Sequence, residues 1–223
     1  MIARYAGALS LVAVALGCEP PRGEPQAAES AVPAAVSERP SVVFLGTSLT
    51  AGLGLEPEQA YPALIQRKID SAGLTYRVVN AGVSGETSAG ARRRVEWLLR
   101  EPVEVLVVET GANDGLRGLS PDSLYANIQA VLVRAREMRP APKLVLLGMR
   151  VPPNYGRTYS QRFQAIYPEL ARENGAELVP FLLDGVGGVA ALNQPDGIHP
   201  TAEGHRKMAE TVWRVLEPVL AGR

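Results

Sequence analysis

The chain has 223 residues, 46% of them hydrophobic, with 23 basic and 23 acidic side chains and a formal charge of zero. That length suits one domain with a short appendage, and the apolar share is enough for a sizeable core. Balanced charge and an aromatic content of 5% exclude a basic nucleic-acid surface and a base-stacking platform.

The N-terminus reads as separate from the fold. Met1-Ile2-Ala3-Arg4 supplies one positive charge ahead of a short apolar run ending at Leu16-Gly17-Cys18. The pattern predicts a secretory signal peptide over residues 1–17, too short to span a bilayer. Cys18 is the only cysteine, so no intrachain disulfide is possible. Ala15-Leu16-Gly17-Cys18 resembles a bacterial lipobox, whose cysteine is acylated and becomes the first residue; the usual leucine three before the cysteine is Ala15 here. One acylated residue would anchor the exported protein to a membrane without spanning it. Residues 18–40, rich in Pro, Ala, Glu and Ser and without a hydrophobic period, read as a disordered tether. The folded domain is expected over residues 41–223, with no internal repeat.

Within that domain, apolar β-branched runs alternate with helical patterns. Strands are expected at 41–46 (SVVFLG), 76–80 (YRVVN), 103–109 (VEVLVVE), 143–149 (KLVLLGM) and 177–180 (ELVP). The third and fourth are apolar at nearly every position, as strands buried on both faces should be. Helices are expected at 57–71, 88–100, 120–138, 157–174 and 201–220, two of them opened by the caps Ser120-Pro121-Asp122 and Thr201-Ala202-Glu203. Alternation of this kind predicts right-handed crossovers and an α/β fold with a parallel sheet between helical layers. Ligands then bind at the carboxyl ends of the strands.

The residues with chemistry fall at that edge. Ser48 follows the first strand, Gly82 the second and Asn113 the third, while Asp196 and His199 sit in the loop after the fifth. A serine hydroxyl needs a base to attack at neutral pH. Of the two histidines, His199 lies three residues beyond Asp196, whereas His205 stands inside the last helix beside Arg206 and Lys207 and is expected to face solvent. Asp196 would hold the imidazole in one tautomer and stabilise its cation. The backbone N–H groups of Ser48 and Gly82 and the amide of Asn113 would form the oxyanion hole. Taken singly, Gly82, Asn113-Asp114-Gly115 and Asp196-Gly197 are also ordinary turn sequences.

Rival motifs fail. The loop after the first strand lacks the Lys-Ser/Thr of a P-loop, and Thr50 replaces the second glycine of a G-x-S-x-G elbow. No metal is expected, because the histidines lack HExxH spacing. Arg92-Arg93-Arg94 reads as a solvated helix face, with at least two of the three turned outward.

The four blocks around Ser48, Gly82, Asn113 and His199 resemble those of the SGNH, or GDSL, hydrolases. Residues 80–88 (NAGVSGETS), 111–118 (GANDGLRG), 153–157 (PNYGR) and 196–200 (DGIHP) are similar to the bacterial arylesterase, lysophospholipase and acyl-CoA thioesterase branch. The resemblance implies a three-layer α/β/α sandwich with a five-stranded parallel sheet in flavodoxin-like order. It also implies that the loop 150–159 borders the acyl site, making Asn154 and Tyr155 candidates for substrate contact. The family's Gly-Asp-Ser is Gly46-Thr47-Ser48 here. Since that aspartate is no member of the triad, the chemistry should survive its replacement.

The expectation is a cell-envelope serine esterase, lipid-anchored through Cys18, acting as a monomer on small acyl esters without a cofactor. The alternatives are a carbohydrate O-acetyl esterase and a non-catalytic envelope lipoprotein.

Overall fold

Strand β1, Ser41–Gly46, is buried at every position, and β3, Val105–Glu109, repeats that pattern. Such strands can lie only in the middle of a sheet covered on both faces. The computed structural model describes residues 39–151 and 153–222. In it β1 and β3 are the second and third strands of a parallel sheet ordered β2-β1-β3-β4-β5, with β2 at Arg77–Gly82, β4 at Lys143–Leu147 and β5 at Glu177–Val179. Register runs from Ser41 opposite Arg77 to Gly46 opposite Gly82, and from Val42 opposite Val105 to Leu45 opposite Val108.

The helices are α1 (Ser48–Ala51), α2 (Tyr61–Ser71), α3 (Ser88–Leu98), α4 (Ala112–Leu116), α5 (Pro121–Arg136), α6 (Arg157–Asn174) and α7 (Ala202–Leu220). Helix α5 packs on α3 and α6 to form one layer, and α2 packs on α7 in the other. The result is the expected α/β/α sandwich in flavodoxin-like order. Ser120 and Thr201 cap α5 and α7, their hydroxyls accepting from the N–H groups of Ser123 and Gly204.

Three differences matter for the site. Strand β2 runs on to Gly82, two residues past its expected end. The four- and five-residue helices α1 and α4 had no counterpart in the hydrophobic pattern. His205 is not solvent-facing: it is 1% exposed, and its Nδ1 accepts from the Tyr61 N–H at 3.0 Å.

The chain's compact unit of interest is Glu38–Arg223. Its entry is already fixed at Pro40, whose carbonyl accepts from the Arg77 N–H at 2.9 Å. The expected signal peptide, Cys18 and nearly all of the expected tether lie outside the described residues.

Candidate active site

Ser48 stands at the first position of α1, directly after Thr47 carries the chain out of β1 in an extended conformation. It is 8% exposed, and its Oγ lies 2.9 Å from His199 Nε2. The histidine arrives on a closed loop. An antiparallel bridge between Asn193 and Pro200 ties the loop's base, and the Gln194 N–H donates to the His199 carbonyl at 2.7 Å. Gln194 Nε2 donates to the carbonyls of Pro200 and Leu53, pinning the loop to the chain just beyond the nucleophile helix.

Asp196 sits within this loop. Its Oδ1 accepts from the N–H groups of Ile198 and His199, both at 3.0 Å, and its Oδ2 lies 2.7 Å from His199 Nδ1. The His199 N–H, then the imidazole and the Ile198 N–H, hold the Asp196 carboxyl down at about 2. An ionised carboxylate can only accept. Nδ1 therefore carries a proton, which leaves Nε2 of a neutral ring free to accept from the Ser48 hydroxyl. Residues 48, 199 and 196 thus form one hydrogen-bonded line.

His205 cannot substitute as base. Burial, followed by the nearby His199 charge, depresses it from 6.5 to about 4, and its Nδ1 is already occupied.

A cleft of about 580 Å³ opens over Ser48 and His199. Leu53, Leu116, Met149, Val151, Phe181 and Ile198 make its walls largely apolar. Arg150 also lines it, its guanidinium lying over the Phe181 ring at 4.6 Å from the centroid. Asn113 reaches the cleft from the N-terminal turn of α4, giving one amide hydrogen to the Glu86 carbonyl at 2.9 Å and leaving the other without an acceptor among the described residues. The next residue, Asp114, accepts from both the N–H and the hydroxyl of Ser88, tying α4 to the start of α3.

Gly82 needs correcting as an oxyanion donor. It is the last residue of β2, its N–H is given to Asn80 Oδ1 at 3.0 Å, and it does not line the cleft. A Cβ there would fall 2.2 Å from the Ala51 nitrogen, so the glycine lets β2 pass close under α1. The glycine at the cleft is Gly85, in a turn with φ +79°, and its N–H has no acceptor among the described residues. A strand ending at Asn80 would put Gly82 in the following turn; the observed end at Gly82 puts Gly85 there instead.

Asn154 and Tyr155 also fall outside the cleft lining. The Tyr155 hydroxyl donates to the Leu116 carbonyl at 2.7 Å and the ring stacks on Tyr159. From this loop it is Arg150 and Val151 that reach the cleft. Arg92 and Arg93 are exposed, as expected of a solvated face. Arg94 turns inward, pairing with Glu86 at 2.7 Å and donating to the Gly46 and Ala81 carbonyls, and so clamps the ends of β1 and β2.

Known proteins resemble this chain over most of its length. Esterase TesA of Pseudomonas aeruginosa is 43% identical over 181 residues, covering 81% of this chain and 89% of that protein. Thioesterase 1/protease 1/lysophospholipase L1 of Escherichia coli K12 is 37% identical over 182 residues, covering 81% and 85%. A crystal structure of TesA superimposes with a TM-score of 0.76 at 42% identity, covering 80% of this chain and 98% of that one. Residues 44–207 match the GDSL-like lipase/acylhydrolase family, and the chain belongs to it.

Proposed function

We propose that this protein is a serine esterase that hydrolyses carboxylic esters with apolar acyl or aryl groups through an acyl-enzyme. The observation that carries the reading is the unbroken hydrogen-bonded line from Ser48 through His199 to Asp196 at the floor of an apolar cleft. Ser48 Oγ attacks the ester carbonyl carbon while His199 Nε2 takes its proton. The tetrahedral oxyanion is held by the N–H groups of Ser48 and Gly85 and by the free amide hydrogen of Asn113. His199 then gives the proton to the leaving alcohol as the C–O bond breaks. A water molecule reverses the sequence: it loses a proton to His199, attacks the acyl carbon, and releases the acid as Ser48 regains its hydrogen. Asp196 stays ionised throughout and stabilises the imidazolium.

The size and apolar walls of the cleft favour longer or aromatic acyl groups over acetyl. The test is a series of p-nitrophenyl esters from acetate to decanoate. Rising kcat/KM beyond acetate is expected; turnover confined to acetate would point to the O-acetyl esterase, and none from folded protein to a binding module. Ser48→Ala should lower turnover on the order of 1,000-fold or more with an unchanged melting temperature.

Export and anchoring through an acylated Cys18 complete the proposal, supported by the apolar leader and the Leu16-Gly17-Cys18 sequence. Oxygen esters rather than coenzyme A thioesters suit that location. Incorporation of a clickable palmitate into the wild type and not into Cys18→Ala is the expected result; equal labelling would remove the anchor.

A further inference from the structure

Behind the nucleophile lies a carboxylate that the reaction does not use. Glu109 ends β3, is 1% exposed, and has no ion pair with any cation among the described residues. Burying a carboxyl in this way is costly unless hydrogen bonds compensate. Burial pushes its carboxyl up, and hydrogen bonds from Thr47 and Thr50 oppose the shift.

Those donors come from the turn that carries Ser48. The Thr47 N–H reaches Glu109 Oε2 at 2.7 Å, and the Thr47 hydroxyl lies 3.1 and 3.0 Å from Oε1 and Oε2. Thr50 Oγ1 donates to Oε2 at 2.9 Å. A hydroxyl has one hydrogen, so the 2.8 Å contact between Thr50 Oγ1 and the Tyr61 hydroxyl has the tyrosine as donor. A threonine before a helix ordinarily turns its oxygen onto the helix's own N–H groups. Thr47 makes no such bond; its hydroxyl faces the other way, onto Glu109. Residues on both sides of Ser48 are therefore held by one buried group.

We propose that Glu109 is a positioning residue for the nucleophile: by binding Thr47 and Thr50 it fixes the turn so that the Ser48 hydroxyl meets His199 and the Ser48 N–H faces the cleft. Where the family name prints aspartate, this chain has a residue that can donate to Glu109 through its side chain. A hydroxyl at this position donates to the carboxylate, whereas an ionised aspartate would meet it with like charge.

The proposal rests on Ser48 being the nucleophile, and the test separates the two. Wild type, Glu109→Gln, Thr47→Val and Thr47→Ser are compared for kcat and KM on one ester, fluorophosphonate labelling rate and melting temperature. Valine keeps the shape of threonine and loses the donor; serine keeps the donor. In Thr47→Val and Glu109→Gln, kcat and labelling rate should fall together by about tenfold to a hundredfold, as displaced catalytic groups do, with KM nearly unchanged. Thr47→Ser should stay close to wild type. Should Glu109→Gln fail to fold, the valine and serine pair decides alone. Unchanged kcat in Thr47→Val, with or without a lower melting temperature, would make Glu109 a purely structural residue and overturn the proposal. A wild type that takes no label at all would instead remove Ser48 as nucleophile.

Discussion

Two glycines three residues apart divide the labour at the end of β2. Gly82 has its N–H bound to Asn80 and its α-carbon pressed under α1; Gly85 lines the cleft and has no acceptor for its N–H among the described residues. Their alanine variants should therefore fail differently. Gly82→Ala drives a Cβ into the Ala51 backbone and should lower the melting temperature. Gly85→Ala meets only the Arg117 guanidinium, at 4.0 Å, but is strained at positive φ, so it should shift the N–H and lower kcat with a smaller loss of stability. Assay of both variants below their melting temperatures checks this; a larger kcat loss in Gly82→Ala would return the oxyanion role to Gly82. Ser48, Asp196 and His199 were legible because their residue types and strand-end positions leave few other uses. Gly85 was not, since one glycine in a turn looks like the next until the last residue of the strand is known.

Among the elements, α7 is marked in the sequence by its cap and its length, yet its His205 is buried where a solvent-facing residue is expected. His205, Met208, Ala209, Val212 and Leu216 are all buried and share one face at helical spacing. That period marks His205 as inward, and the charged neighbours Arg206 and Lys207 hid it. Its depressed pKa has a consequence for stability. The unfolded chain takes up a proton near 6.5 and the folded one only near 4, so the unfolded state binds more protons between these values. Stability from this group is complete above 6.5 and is lost as pH falls toward 4, by on the order of 2–3 kcal/mol. His205→Asn retains an acceptor for the Tyr61 N–H but cannot titrate. Its melting temperature should fall less steeply than that of wild type over this range; identical slopes would show that His205 is not the group responsible. The short helices α1 and α4 remained invisible to periodicity because neither completes two turns. Both are set by what lies around them, Glu109 behind one and Ser88 beside the other.

For the molecule as a whole, sheet order explains why distant residues meet. The central strands β1 and β3 deliver Ser48 and Asn113, β2 at one edge leads into Gly85, and the loop beyond β5 folds back until it is pinned at Leu53. Strand alternation was enough to foresee a parallel sheet with its site at the carboxyl edge, while the strand order came from the family resemblance. The return of the histidine loop could not be read from local sequence, because the contact that pins it to the nucleophile's side of the molecule, Gln194 to Leu53, is a long-range hydrogen bond. The Ser48–His199–Asp196 line, the apolar cleft and the family all point to an activated serine. Labelling the purified protein with a fluorophosphonate and mapping the adduct by mass tests that most directly. A single stable adduct on Ser48 is expected, absent from Ser48→Ala and strongly slowed in His199→Ala. A folded protein that takes no label, or takes it on another residue, would contradict it.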